Sequence, residues 1–316
     1  SGIVGATRLI RGRAVDDMTK LVAVVDMGTT AIRLAVAEVL AGGTVVLRDQ
    51  PQQNVMLGDD VFTTGEISPG TADACVAALM MFLERLKEYA IPLDGDHLRV
   101  VATSAVREAT NRETFIDRIC ISTGLDVEII DEAEVSRFTY LSVQPFRRAP
   151  LFAPDTVTLI VEVGGGTTEV LAVRDGRVVF SQGHRLGALR LWQMHERHGS
   201  PVRGHRDVME AQVARFTDVV VGYLEGHRDA KIQILAIGGD PRFAAARLHP
   251  GWETRRLVRL SVRQTAVVAD QILAQSEDDL VRRFALSYPE AETLGPALMT
   301  YVRLAQALQR PFFYVT

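Results

Sequence analysis

Two distant stretches of this sequence follow the same order of residue types. Residues 24–30 read Val-Val-Asp-Met-Gly-Thr-Thr, and residues 160–168 read Ile-Val-Glu-Val-Gly-Gly-Gly-Thr-Thr. In both copies an apolar run ends in an acid, a glycine turn with two threonines follows, and a second apolar run comes next. A polar turn then leads to a third apolar run, at 45–47 and 178–180. The pattern predicts an internal duplication in which each half opens with a three-stranded meander.

After each meander, helical and strand patterns alternate. Residues 72–89 carry apolar side chains at helical spacing, whereas 98–102 and 232–237 are short apolar runs typical of buried strands. This order predicts an α/β protein with two domains, mixed sheets flanked by helices, and a ligand cleft between the domains. The expected divisions are an N-terminal extension at 1–20, a first domain at 21–131 and a second at 132–316.

Charge and composition exclude some classes of protein. The 316 residues contain 35 Lys and Arg against 39 Asp and Glu, and this net charge of −4 argues against binding double-stranded nucleic acid mainly by charge. No apolar run approaches the roughly 18 residues of a membrane span, and residues 1–17 lack the apolar core of a signal peptide. We therefore expect a cytoplasmic protein without a membrane partner. Cys75 and Cys120 lie in apolar helical patterns, which predicts reduced, buried thiols.

The two glycine turns have the composition of phosphate-binding loops. Glycine lets backbone amides approach an anion closely, and the threonine hydroxyls add donors beside them. The acid before each turn would repel a bare phosphate, which suggests a bridging Mg²⁺ or an activated water. The predicted phosphate-binding residues are Gly28, Thr29, Thr30, Gly164, Gly165, Gly166, Thr167 and Thr168, and the predicted metal ligands are Asp26, Glu162 and Glu169. The alternative is that the triple glycine is only a tight hairpin turn.

A third glycine pair gives a weaker signal. Gly238-Gly239 follows the apolar run 232–237 and precedes a predicted helix that Asp240 could cap, with Pro241 at its first position. Helix N-termini hold anions, so Gly238 and Gly239 are added to the candidate phosphate-binding residues.

Five motifs in order resemble the exopolyphosphatase and guanosine-pentaphosphate phosphatase family, which belongs to the superfamily of actin, sugar kinases and heat-shock chaperones. They are Asp26-Met-Gly-Thr-Thr30, Val101-Ala-Thr-Ser-Ala-Val-Arg107, Glu128 to Arg137, Glu162 to Glu169, and Arg185-Leu-Gly-Ala-Leu-Arg190. The resemblance implies two ribonuclease-H-like domains of the actin type in a short, two-domain form. It also implies Mg²⁺ dependence and release of terminal phosphate from inorganic polyphosphate or pppGpp. The expected partner is polyphosphate or a phosphorylated guanosine nucleotide, and a homodimer is a possible assembly.

The same resemblance assigns catalytic candidates and exposes departures from the family pattern. It places Ser104 at the phosphate, and Arg107 and Glu169 among the catalytic residues. The second of two adjacent family glutamates, which activates the attacking water, aligns with Val135. The possible substitutes are Glu134, ranked first because it matches a family glutamate, and Glu132.

Further departures are Glu162 in place of Asp, Met56 in place of an arginine, and Asp240 in place of a hydroxyl residue. Two alternatives to the hydrolase therefore stay open. One is a catalytically impaired member that acts as a polyphosphate- or nucleotide-binding regulatory module. The other is a phosphotransferase similar to sugar kinases.

Overall fold

The computed structural model describes residues 19–197, 202–227, 229–254 and 256–316. These residues form two compact units, one ending at Ser142 and one running from Val143 to Thr316. The N-terminal extension predicted at 1–20 lies outside the described residues as far as residue 18. No helix in the described ranges is long and apolar enough to cross a membrane.

The first unit contains one sheet and five helices within its described residues. The strands are β1 (Lys20–Met27), β2 (Ala31–Val39), β3 (Val45–Asp49), β4 (Gln52–Asn54), β5 (Leu98–Ala102) and β6 (Val127–Ile129). The helices are α1 (Leu57–Thr64), α2 (Pro69–Glu88), α3 (Ser104–Glu108), α4 (Arg112–Thr123) and α5 (Glu132–Ser142).

The sheet order is β3-β2-β1-β5-β6, with β4 paired to β2. Strands β1, β2 and β3 pair antiparallel and form the predicted meander, while β5 is parallel to β1 and β6 is parallel to β5. Strand β1 is apolar on both of its faces, and each face packs against a helix. Val25 packs in the cluster that contains Cys75 of α2, and Val24 packs in the cluster that contains Phe138 of α5.

Helix α5 groups with the first unit. We expected the boundary between 131 and 132, but Phe138 of this helix is buried against Val101 and Ala35 of the first sheet. That apolar contact ties the helix to the first sheet, and the two units divide after Ser142.

The second unit repeats the order of elements and extends it. Its strands are β7 (Thr156–Val163), β8 (Thr168–Arg174), β9 (Arg177–His184), β10 (Lys231–Ile237), β11 (Val258–Ser261) and β12 (Phe312–Val315). Its helices are α6 (Ala188–Arg197), α7 (Val202–Leu224), α8 (Gly239–Leu248), α9 (Val262–Leu273), α10 (Glu277–Phe284) and α11 (Tyr288–Ala307), with 3₁₀ turns at Gln144–Phe146, Pro150–Phe152 and Glu225–His227.

The second sheet has the order β11-β12-β10-β7-β8-β9. Strands β7, β8 and β9 form the second predicted meander, and β10 runs parallel to β7 as β5 does to β1. One large apolar cluster joins this sheet to its helices, and α11 lies deep in it, with Leu298 and Ala297 fully buried. Both units thus have the mixed α/β architecture expected from the sequence.

The two thiols differ in environment. Cys75 is buried on α2, and burial raises the pKa of its thiol to about 12. Cys120 is exposed, so the expectation that both are buried is wrong for this residue. Helix α4 buries Phe115 and Ile119, and the next residue is rotated about 100° away from that face.

Candidate functional site

The loop after β1 is a tight turn that leaves backbone amides available. The Gly28 amide donates to the Ala31 carbonyl at 3.0 Å. A Cβ on Gly28 would lie 3.0 Å from that same carbonyl oxygen, so this position favours glycine. Among the described residues, no acceptor takes a hydrogen bond from the amide of Thr29 or of Thr30. Two donors can therefore bind an anion here.

Neighbouring segments fix this first loop in place. The Thr29 hydroxyl lies 3.2 Å from the Ser104 hydroxyl, and the Thr29 carbonyl accepts from the Gly58 amide at 2.8 Å. The Met27 carbonyl accepts from the Thr103 amide at 3.3 Å. The structure thus brings the predicted phosphate-binding residues of this unit, Gly28, Thr29, Thr30 and Ser104, to one place at the end of the sheet.

Arg33, on β2 beside this loop, was not predicted from the sequence. It lies directly opposite Asp26 in the β1–β2 pair, and a Cβ on Gly28 would lie 3.3 Å from its Nη1. Within the described ranges, no carboxylate lies within 4.0 Å of its guanidinium. The sequence does contain a signal for this residue. Arg33 is the single charged residue in the apolar start of β2, and the register of the β1–β2 hairpin places it opposite Asp26.

The loop after β7 has the same turn as the loop after β1. The Gly164 amide donates to the Thr167 carbonyl at 2.8 Å, again three residues ahead, and a Cβ on Gly164 would lie 3.2 Å from that oxygen. In the part of the chain that is described, the amides of Gly165, Gly166 and Thr167 donate to no acceptor. The duplicated sequence pattern therefore produces a duplicated turn, and in both copies the amides after its first glycine donate to no acceptor among the described residues.

The start of α6 holds the carbonyls of this second loop. The Ala188 amide donates to Gly164 at 2.8 Å, and the Leu189 amide donates to Gly165 at 3.0 Å. Arg190 Nε donates to the Gly166 carbonyl at 2.7 Å. The start of α6 therefore binds three carbonyls of the loop, and the loop amides take no part in these bonds.

Thr168 has a structural contact. It begins β8, is fully buried, and its hydroxyl donates to the Leu186 carbonyl. The structure therefore places this predicted phosphate-binding side chain in a bond that joins β8 to the segment before α6.

Two predicted metal ligands lie side by side in the second unit. Glu162 and Glu169 are directly opposite each other on β7 and β8, and Glu169 is only 3% exposed. Like charges directly opposite on a sheet repel, and a divalent cation beside them would lower that repulsion. Mg²⁺ usually takes one or two protein carboxylates and completes its octahedron with water and phosphate oxygens, so this pair fits it. Within neither unit do the described residues contain three or more grouped metal-ligating side chains.

The third glycine pair lies at the same edge of the second sheet. Ile237 pairs with Glu162 in the β7–β10 ladder, so Gly238 lies level with Val163, one residue before the Gly164 turn. Gly238 has a φ of 123° and is itself the N-cap of α8. Asp240 lies inside the first turn of the helix, so the expectation that it caps the helix is wrong.

Comparison with known proteins identifies the family. The sequence model of the Ppx/GppA phosphatase family matches residues 35–236, which is more than half of the chain. The chain belongs to the Ppx/GppA phosphatase family. Exopolyphosphatase 1 of Mycobacterium bovis and that of Mycobacterium tuberculosis are each 27% identical to it over 168 residues, covering 53% of this chain and 46% of theirs. The chain therefore spans about half the length of the curated relatives it matches.

Solved structures of Ppx/GppA proteins have the same fold. An exopolyphosphatase from Cytophaga hutchinsonii superposes with a TM-score of 0.79 at 20% identity, covering 94% of both chains. The Aquifex aeolicus family member superposes with a TM-score of 0.70 at 21% identity, covering 95% of this chain and 94% of that chain. These likenesses confirm the expected fold, two mixed α/β units of the actin type.

In this Ppx/GppA chain both candidate bases, Glu132 and Glu134, lie in the first turn of α5. Glu132 Oε1 is 4.0 Å from Arg107 Nη2, and Arg107 also donates to the Ile130 carbonyl at 2.9 Å. Glu134 Oε1 is 3.6 Å from Arg99 Nη2. Each predicted carboxylate thus faces a different arginine, and only Arg107 belongs to the short helix that starts at Ser104.

Val135 is partly buried. It packs against the apolar cluster that contains Ile130 and Phe138. Asp131, which the sequence reasoning did not single out, accepts the Glu134 amide at 2.8 Å and so caps the start of this helix.

Proposed function

We propose that this chain is a Mg²⁺-dependent phosphohydrolase that releases terminal phosphate from inorganic polyphosphate or pppGpp. The observation that carries the proposal is the repeated loop: two turns with the same internal hydrogen bond, each preceded by a carboxylate and each presenting backbone amides that bind nothing else among the described residues. Family membership and the names of the curated relatives support the phosphoanhydride substrate.

In the proposed reaction, water adds to the terminal phosphorus and the bond from that phosphorus to the bridging oxygen breaks. The amides of Gly165 and Gly166 stabilise charge on the transferred group, as preorganised backbone donors do in other phosphoryl and acyl transfers. Glu162 and Glu169 would hold Mg²⁺, which supplies further charge neutralisation at the phosphate. Asp26 stays a predicted metal ligand.

For the proton of the attacking water we rank Glu132 ahead of Glu134, the reverse of the order drawn from sequence. Glu134 is engaged by Arg99, whose guanidinium also binds Glu128. Glu132 is exposed and lies beside Arg107, which is on the same short helix as Ser104. Water reaches Glu132 more readily, because its side chain is 53% exposed and that of Glu134 is 27% exposed.

The second candidate function is a regulatory module that binds polyphosphate or nucleotide without cleaving it. Val135 favours it, because no general base stands at the position where the resemblance requires one. Loss of general-base help leaves typically ~10²–10⁴-fold less rate, so the distinction is one of measurable turnover.

Linear and cyclic phosphates separate these functions. Phosphate release is measured from linear tripolyphosphate, from cyclic trimetaphosphate, which has no chain end, and from pppGpp, each with and without Mg²⁺. The proposal expects release from a linear substrate only with Mg²⁺, and none from the cyclic compound. A thermal shift with tripolyphosphate but no release selects the regulatory module. Release from the cyclic compound contradicts an end-directed reaction.

A further inference from the structure

A buried tyrosine connects two of the candidate loops. Tyr301 of α11 is 1% exposed, and its hydroxyl accepts the Val163 amide at 2.9 Å and donates to the Ile237 carbonyl at 2.8 Å. Val163 immediately precedes the Gly164 turn, and Ile237 immediately precedes Gly238. One hydroxyl group therefore binds the ends of β7 and β10 at the points where both loops begin.

The position of this hydroxyl explains why the contact fixes spacing. The β7–β10 ladder ends with the pair Glu162 and Ile237, and Tyr301 Oη bonds at the next step along β7, where the strands separate. A Cβ on Gly238 would lie 3.9 Å from the same hydroxyl. The distance between the two loops is thus set by a side chain beneath them.

The chemistry of the contact requires a hydroxyl. The group both accepts and donates, which phenylalanine cannot do, and burial raises the pKa of Tyr301 well above its ordinary range, so the donated proton stays in place. The Tyr301 ring stacks on the ring of Phe313, with centroids 6.1 Å apart, and this contact helps to fix the orientation of the side chain. Removing the hydroxyl would leave a buried amide and a buried carbonyl without a partner.

We propose that Tyr301 is a positioning residue that holds the Gly164–Thr167 turn and Gly238-Gly239 at the spacing needed to bind phosphate groups of one phosphoanhydride. The inference rests on the proposed function and extends it. Tyr301 touches no reacting atom: it acts through the two strand ends. It also makes the third glycine pair part of the same binding site as the second loop.

The test compares Tyr301→Phe with Tyr223→Phe. Tyr223 of α7 lies in the same unit, and its hydroxyl donates to the Val179 carbonyl at 2.8 Å on β9. Both variants lose a hydrogen bond to backbone, but only the first changes the two loops. With Mg²⁺ and tripolyphosphate, Tyr301→Phe should raise KM or Kd at least tenfold with a smaller change in kcat, whereas Tyr223→Phe should stay within twofold of wild type. Equal, small effects of both variants would overturn the proposal.

A second measurement uses wild-type protein only, so it tests the proposal even if Tyr301→Phe does not fold. In wild-type protein, amide hydrogen exchange of peptides covering 163–168 and 237–240 is followed during a tripolyphosphate titration. Exchange in both peptides should slow with the same half-saturating concentration. Protection of one peptide alone overturns the role of Tyr301 while leaving the proposed function standing. If the wild-type protein neither binds nor cleaves tripolyphosphate, both proposals fail.

Discussion

The carbonyl group of Gly165 occupies the space into which a side chain at Gly187 would extend. A Cβ built on Gly187 would overlap the carbonyl carbon and oxygen of Gly165. This contact places the start of α6 against the glycine loop, where its amides reach the Gly164 and Gly165 carbonyls. The loop conformation thus depends on a glycine that lies outside it.

Gly187→Ala should displace the loop and weaken tripolyphosphate binding, with a loss of about 1–3 kcal/mol of unfolding free energy from overpacking. Gly222→Ala is the matched control, because nothing lies within 4 Å of a Cβ on this exposed residue of α7. An added methyl there should stabilise the helix by about 0.5–1 kcal/mol. Denaturant unfolding and isothermal titration check both variants, and unchanged binding by Gly187→Ala would contradict the dependence of the loop on α6.

Glu169→Gln keeps the shape of the buried side chain and removes its charge. If Glu169 is a ligand of Mg²⁺, the variant should weaken Mg²⁺-dependent tripolyphosphate binding at least about tenfold. Even substitution of a residue that only hydrogen-bonds a metal ligand typically lowers metal affinity about 10–100-fold. The melting temperature without ligand should not fall, because the variant also removes the repulsion between Glu169 and Glu162. Asp175→Asn, on the exposed turn between β8 and β9, is the charge-matched control. Equal ligand binding by both variants would remove Glu169 from the site.

Val135→Glu restores a carboxylate at the position of the family base. General-base help contributes ~10²–10⁴-fold, so phosphate release should rise at least tenfold if the rest of the site is competent. The new side chain displaces a valine from the apolar cluster of Ile130 and Phe138, and we expect a stability loss of about 1–3 kcal/mol. Val135→Gln shares that loss but supplies no base. An equal rate for both variants would show that the missing base is not what limits turnover.

The two thiols should react at very different rates with iodoacetamide at pH 8. The thiolate is the reactive form, and with a pKa of about 12 the Cys75 thiol is almost wholly protonated at this pH. We expect mass spectrometry to show one modification, on Cys120, in the native protein and two after denaturation. Modification of Cys75 at the same rate as Cys120 in the native protein would contradict its burial.

Much of the fold followed from local pattern. The acid-glycine-threonine order defined both meanders and both loops, because a turn that packs glycine against a carbonyl three residues ahead is encoded in adjacent residues. The family motifs supplied Ser104, which the structure places beside Thr29.

Features that depend on contacts between distant residues could not be predicted. Tyr301 meets Val163 only through the packing of α11 under the sheet, and nothing in its local sequence marks it. The spacing of apolar residues in helix α5 does not say which sheet Phe138 covers, so the sequence left the unit of this helix undetermined. The exposure of Cys120 depends on the rotation of α4, which its weak apolar periodicity left undetermined.

We propose that this chain hydrolyses a phosphoanhydride end with help from Mg²⁺ and from Glu162 and Glu169, which lie on the two strands that flank the second loop. The most direct measurement is the initial rate of phosphate release from linear tripolyphosphate by wild type and Glu169→Gln across a Mg²⁺ titration. We expect saturable, Mg²⁺-dependent release by wild type and a loss of that dependence in the variant. Release that is independent of Mg²⁺, or equal in the two proteins, would contradict it.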